Sequence, residues 1–177
     1  DTECLVQTEH MDEAEREAFL QRFEGNPGMD LSDIIHMEIE VEEESSLVGF
    51  CVLGGIFSEG IDLKEDSLIG ALIVGTGLPQ VCTEREIIRG YFEENGENGF
   101  DYAYRYPGMN KVLQAAGRVI RSPQDRGVVL LLDDRFTTAA YRRLFPAHWS
   151  HARSLSDSEQ LRQTLCTFWE SQADNNG

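Results

Sequence analysis

The chain has 177 residues, 41% hydrophobic and 27% charged, which is enough apolar material for one sizeable core and excludes wholesale disorder. No apolar run reaches the ~18 residues of a membrane span, and the opening DTECLVQTEH lacks the basic start and apolar centre of a signal peptide, so a soluble cytoplasmic protein is expected. The net charge of −17 argues against an anionic partner only until its distribution is seen: residues 1–104 carry 5 basic and 25 acidic side chains, whereas residues 105–153 carry 9 and 3 and would steer an anion to themselves.

In chain order, residues 4–7 read as a short strand and Met11 to Phe23 as an amphipathic helix stopped at Gly25. Residues 25–46 hold Pro27, Gly28 and the run Glu38, Glu40, Glu42, Glu43, Glu44, which predicts an acidic mobile loop; the alternation of Ile39 and Val41 with glutamates allows a short edge strand instead. LVGFCVL at 47–53, the run at 68–74 and GVVLLL at 127–132 are unalternating apolar stretches, the pattern of strands buried on both faces. Between the last two lie a helix over 84–94, opened by a capping box of Thr83 with Glu86, and a second helix entered through Pro107 and Gly108. Strands separated by helices predict an α/β fold, a parallel sheet with helices on both faces, in a single domain over 1–177. After Arg135 a short helix should end at Pro146, a box of Ser156 with Glu159 should open a last helix to about Trp169, and residues 170–177 should form a disordered tail.

KVLQAAGRVIR, residues 111–121, carries the strongest chemical signal. On a helix, Lys111, Gln114, Arg118 and Arg121 fall at i, i+3, i+7 and i+10, within about one quadrant, while Val112, Ala115, Ala116 and Val119 occupy the opposite side. A Gln and two guanidiniums held outward in a fixed array suit a polyphosphate, although a solvated helix face has the same spacing. Gly117 sits beside Arg118. A mid-helix glycine costs about 1 kcal/mol relative to alanine, so a close approach by a ligand or by another helix is expected there.

GGIFSEGIDL, residues 54–63, leaves an apolar strand through two glycines, and loops leaving the carboxyl ends of strands are where open α/β sheets bind ligands. Ser58, Glu59, Gly60 and Asp62 would lie on that edge, although Asp and Gly in a turn need no function. Asp133 and Asp134 after GVVLLL resemble a magnesium-holding carboxylate pair, but no GxxxxGK[ST] phosphate loop occurs in the chain, so a structural pairing with Arg135 or an arginine of the 111–121 helix is expected. Tyr102, Tyr104 and Tyr106 precede Pro107 with only Arg105 as an interleaved basic residue, which favours packing over base stacking. Cys4, Cys51, Cys82 and Cys166 have no metal-site spacing, and His148 with His151 has no nearby third ligand, so no metal site is expected.

Taken in order, GGIFSEGIDL, LIVGTGLP, QAAGRVIR with Ser122, and GVVLLLDDRF resemble motif V, its following strand, motif VI and the closing strand of superfamily 2 DNA helicases, with wording similar to the bacterial DinG and XPD-like family. The resemblance covers residues 47–149. It implies a RecA-like second motor domain, helicase domain 2, of an ATP-dependent DNA helicase, working against an N-terminal motor domain of the same parent chain and on single-stranded DNA. Catalytic roles would fall to Gln114, Arg118 and Arg121, the arginines acting as fingers on ATP that the first domain holds with Mg²⁺. Gly60, Asp62 and Glu59 would couple that nucleotide to DNA, and Ser58 and Lys111 would contact the nucleic acid. The Walker motifs and cluster cysteines of such iron–sulfur helicases have no counterpart here, and the first strand of the second domain, with motif IV, is expected to be missing, as in a fragment. The chain alone is therefore expected to be inactive. The competing expectation is a non-catalytic protein-interaction module of the same ancestry.

Overall fold

The structure, a computed structural model, describes residues 2–24, 46–55, 57, 68–120 and 125–173. The expected acidic loop, apart from Ser46, lies outside the described residues, as do positions 174–177 of the expected tail. The chain divides into two compact units, Asp1–Asp133 and Asp134–Gly177.

The first unit begins with β1 (Thr2–Val6), α1 (Glu13–Glu24) and β2 (Ser46–Phe50). β1 and β2 are parallel, with Cys4 opposite Val48 and Val6 opposite Phe50. α1 starts on a reciprocal capping box that the sequence reading missed: the Glu15 N–H donates to Asp12 Oδ1 and the Asp12 N–H to Glu15 Oε2, both at 2.9 Å. Arg22 pairs with Glu3 and ties the helix to β1. Phe23 and Phe19 lie over Gly49, where a methyl group would stand 2.6 Å and 3.3 Å from their rings, and Phe57 stacks on Phe19 at 4.5 Å.

β3 (Gly70–Val74) and β4 (Val128–Leu132) form a second parallel pair, Leu72 opposite Leu130 and Val74 opposite Leu132. Between them come α2 (Thr83–Glu94), a π-helical turn (Asp101–Arg105) and α3 (Tyr106–Ala116). Ile73 is buried, as are Met109, Val112 and Ala116 of α3, the helix that packs on β3. Burial on both faces is not observed in β2 and β3, where Val48, Phe50, Leu72 and Val74 are exposed, whereas β4 is half-buried from Val128 to Leu131 and exposed at Leu132. Side chains on a strand alternate between faces, and an apolar run does not tell whether a second layer lies over the outer one.

The capping box expected at Thr83 does not form. Cys82 is the residue before α2 and gives no side-chain cap, while Glu86 turns to accept from Tyr104 Oη at 2.5 Å and to pair with Arg89. Packing prevails for the three tyrosines: Tyr102 stacks face to face on Phe92 at 3.7 Å, Tyr106 meets Tyr102 edge-on and Tyr104 is buried. Arg85 donates to the Ala103 carbonyl at 2.7 Å, and a buried Asp101–Arg105 pair closes the π-helical turn.

In the second unit, short 3-10 turns (Asp134–Thr137 and Ala147–Trp149) flank α4 (Ala139–Arg142), and α5 spans Ser158–Ala173, beyond the expected end at Trp169. Phe136 and Tyr141 are buried edge to face. The box that opens α5 is shifted one residue from the expected pair: the Gln160 N–H donates to Asp157 Oδ1 at 2.8 Å, and Glu159 pairs with Arg162.

Candidate nucleotide- and nucleic-acid-facing site

The site is built where β2 and β3 end. β2 leaves through Gly54, at φ +78°, in a turn closed by the Gly55 N–H on the Val52 carbonyl at 2.9 Å. Gln7, just past β1, fixes this turn from outside: its side-chain oxygen accepts the Val52 N–H at 2.8 Å and its own N–H donates to Phe50 at 2.8 Å. Sequence reasoning gave Gln7 no role, and the available signal was a polar side chain directly after an apolar strand. β3 leaves through Gly75 and Gly77, both at positive φ, with Thr76 buried between them.

The first turn of α3 is seated on that second exit. A methyl group on Gly108 would stand 2.6 Å from the Thr76 carbonyl oxygen, and one on Gly77 would stand 2.8 Å from the Gly108 carbonyl oxygen and 3.1 Å from Leu53 Cδ2. One turn later Lys111 crosses the first exit, where a methyl group on Gly54 would lie 2.7 Å from its Cδ and 2.8 Å from its Cε. α3 thus meets the carboxyl ends of both strands, the edge at which open α/β sheets bind ligands.

The apolar side of the motif is buried as its spacing predicts, through Val112, Ala116 and Val119, and Gln114 is exposed on the other side. The array is not one continuous helix, however. α3 ends at Ala116 and residues 117–119 form a turn, in which the Arg118 N–H donates to Ala115 and the Val119 N–H to Ala116, both at 3.2 Å. Helical spacing therefore relates Lys111 to Gln114, whereas half-buried Arg118 is placed by the turn. Gly117 is the end of the helix rather than its middle, at φ −66°, and a methyl group there would meet only carbonyl oxygens of α3 itself, those of Leu113 and Gln114 at 3.2 and 3.6 Å. Among the described residues no second helix approaches it, which corrects the expectation of a close helix packing at this glycine. Beyond the turn, Val119 packs on Gly127 at the entrance to β4. Arg121, Ser58, Glu59, Gly60 and Asp62 lie outside the described residues. Among the described residues, no group of three or more His, Cys, Asp or Glu side chains could hold a metal ion, and no helix is long and apolar enough to cross a membrane.

The helicase C-terminal domain family matches residues 1–152 of the chain. The chain belongs to that family. Its relatives place it among the DinG/XPD-like members. It is 33% identical over 125 residues to the ATP-dependent DNA helicase chl-1 of Caenorhabditis elegans, covering 67% of this chain and 15% of that protein. It is 37% identical over 89 residues to the ATP-dependent DNA helicase DinG of Photobacterium profundum, covering 49% and 13%. It is also 31% identical over 101 residues to the general transcription and DNA repair factor IIH helicase subunit XPD of Dictyostelium discoideum, covering 54% and 12%. The domain thus spans 15% or less of each of these three relatives.

Proposed function

We propose that this chain is the second motor domain of an ATP-dependent DNA helicase. Gln114, Arg118 and Arg121 face ATP and Mg²⁺ held by an N-terminal motor domain of the same parent, the two arginines stabilising charge that develops on the transferred phosphoryl group. Glu59, Gly60 and Asp62 relay that event to single-stranded DNA, which Ser58 and the Lys111 ammonium contact through phosphate oxygens.

The observation that supports this reading best is the seating of α3. Its buried side and its backbone contact at Gly77 and Gly108 hold the helix at the ligand-binding edge, with Gln114 outward and Arg118 in the turn beyond. The Walker motifs are absent from the sequence, so the nucleotide must be held by another domain. The test is ATP turnover by the purified chain beside the full-length parent, each with single-stranded DNA. Turnover by the parent alone is expected; DNA-stimulated turnover by the 177-residue chain would sink the assignment.

A second reading, a protein-interaction module without a motor role, draws on exposed Val81, Ile87 and Tyr91 at and along α2. It predicts that substitution of the motif arginines leaves ATP turnover by the parent untouched.

A further inference from the structure

α2 is fixed on one side and open on the other. Arg85 donates to the Ala103 carbonyl at 2.7 Å, Glu86 accepts from Tyr104 Oη at 2.5 Å, and Phe92 stacks on Tyr102 at 3.7 Å. These contacts pin the helix along its length, yet none of its 12 residues is buried. On the open side Ile87 and Tyr91 are 67% and 62% exposed, and Ile88 is 41% exposed. At 3.6 residues per turn these three share a sector of about 120° with Glu84 and Glu94. Large apolar side chains on a helix so firmly held form a preorganised contact surface rather than a fraying end.

Two further features of this sector say what fits it. Gly90 lies at its border, in the interior of α2, and among the described residues an added methyl group there would meet nothing within 4 Å. A glycine in a helix interior lowers stability relative to alanine, and no described neighbour requires this one. It leaves a notch between Ile87 and Glu94, one turn to either side, where a second helix can bring its backbone close. The charges select the partner. Glu84 and Glu94 stand at the two ends of the stripe, about 15 Å apart along the axis, and neither forms an ion pair with a described residue. Both arginines of α2 are engaged elsewhere, Arg85 at Ala103 and Arg89 with Glu86 and Glu93. The stripe is therefore apolar with a carboxylate at each end and no cation, in the part of the sequence, residues 1–104, that holds 25 acidic and 5 basic side chains. Such a field draws in a basic partner and repels an acidic one.

We propose that this face of α2 docks a basic amphipathic helix of another protein. The apolar stripe of that helix lies on Ile87 and Tyr91, its backbone comes close to Gly90, and lysines or arginines at its two ends meet Glu84 and Glu94. The surface shares no residue with the proposed nucleotide and DNA contacts, so it stands whether or not the motor reading does.

The test uses a synthetic peptide about 18 residues long, enough to be helical in water, with leucines on one face and a pair of lysines at each end of it. A twin peptide carries glutamates in place of the lysines. Fluorescence anisotropy measures binding to the 177-residue chain and to the full-length parent, and backbone amide shifts of the chain locate it. The lysine peptide is expected to bind both proteins and to shift the amides of residues 84–94, whereas the twin should not bind. Tyr91→Ala should weaken binding about 30-fold, the loss of a central aromatic anchor. Gly90→Ala should weaken it about tenfold, as a methyl group forced into a close contact does. That methyl group has open space in the chain alone, so the variant separates docking from folding. Equal binding by the twin, shifts spread over the acidic surface instead of α2, or unchanged affinity in Gly90→Ala would overturn the proposal. Binding to the chain but not to the parent would assign the face to another part of the parent, and self-association of the chain abolished by Tyr91→Ala would assign it to a second copy. Either result would overturn the proposal as well.

Discussion

Gly77 and Gly108 face one another with no side chain between them, each so close to the neighbouring backbone that a methyl group on either would meet a carbonyl oxygen at 2.8 Å or less. Neither backbone can retreat without moving α3 or the exit from β3. Gly108→Ala should therefore destabilise the chain by about 1–3 kcal/mol, the usual cost of overpacking. Gly77→Ala should cost about 1–2 kcal/mol more, because its φ of +64° also disfavours a Cβ. Gly90, inside α2 with nothing within 4 Å of an added methyl group, is the control: Gly90→Ala should be stabilising by about 0.5–1 kcal/mol. Urea denaturation of the three variants measures these differences, and equal midpoints for Gly108→Ala and Gly90→Ala would refute the contact.

The Asp101–Arg105 pair lies in the π-helical turn that feeds α3, with the Asp101 side chain 3% exposed and that of Arg105 16%. Removing Asp101 takes a carboxylate away from the partly buried Arg105 guanidinium. Asp101→Ala should cost about 1–3 kcal/mol, the range of a lost hydrogen bond to a charged group. The same denaturation curves report it, and a loss below about 1 kcal/mol, the range of a surface pair, would show that the site is wetter than its burial indicates.

The hydrogen bond from Tyr104 to the Glu86 carboxylate, reinforced by burial, pushes the phenol above its usual value. A group raised in the folded state contributes stability that is complete below its unfolded pKa, about 10 for tyrosine, and is lost as pH rises through the folded one. The contribution of Tyr104 should therefore fade only in strongly alkaline solution. Ultraviolet titration of the phenolates should show a late-ionising tyrosine that moves earlier in Glu86→Gln; an unchanged titration would disprove the assignment.

At the acid end the sign reverses. The backbone N–H of Glu84 itself, followed by the Cys82 side chain, holds the Glu84 carboxyl below the usual carboxylate range, and Arg162 with Gln163 does the same for Glu159. Depressed carboxyls contribute stability above their unfolded pKa, about 4.3, that is lost as pH falls through the folded value. The first turns of α2 and α5 should thus weaken below about pH 4. Carboxyl chemical shifts followed by NMR would show Glu84 and Glu159 protonating below the usual carboxylate range, and protonation within that range would contradict the contacts.

The parts of the fold set by local pattern were legible in the sequence. The buried side of KVLQAAGRVIR, the parallel strands and the helix over 84–94 all follow from apolar spacing. Features decided by distant partners were not. Thr83 and Glu86 have the spacing of a capping box, but Tyr104, 18 residues away, takes the Glu86 carboxylate. Gly117 sits inside a periodic pattern and so read as helix interior, although three-residue hydrogen bonds already close a turn beyond Ala116. The meeting of Gly77 with Gly108, and the passage of Lys111 over Gly54, join segments more than 30 residues apart. A single chain's spacing carries no record of such contacts. Of the site residues read from sequence, Lys111, Gln114 and Arg118 lie along one short stretch, held at the carboxyl ends of β2 and β3.

The account turns on the two arginines, and the most direct measurement is steady-state ATP turnover by the full-length parent carrying Arg118→Ala or Arg121→Ala, at saturating single-stranded DNA. Loss of a phosphoryl-stabilising guanidinium should lower kcat about 10³-fold while KM for ATP changes much less. A kcat within about threefold of the parent in both variants would contradict the account, since an interaction made in the transition state cannot be removed at so small a cost.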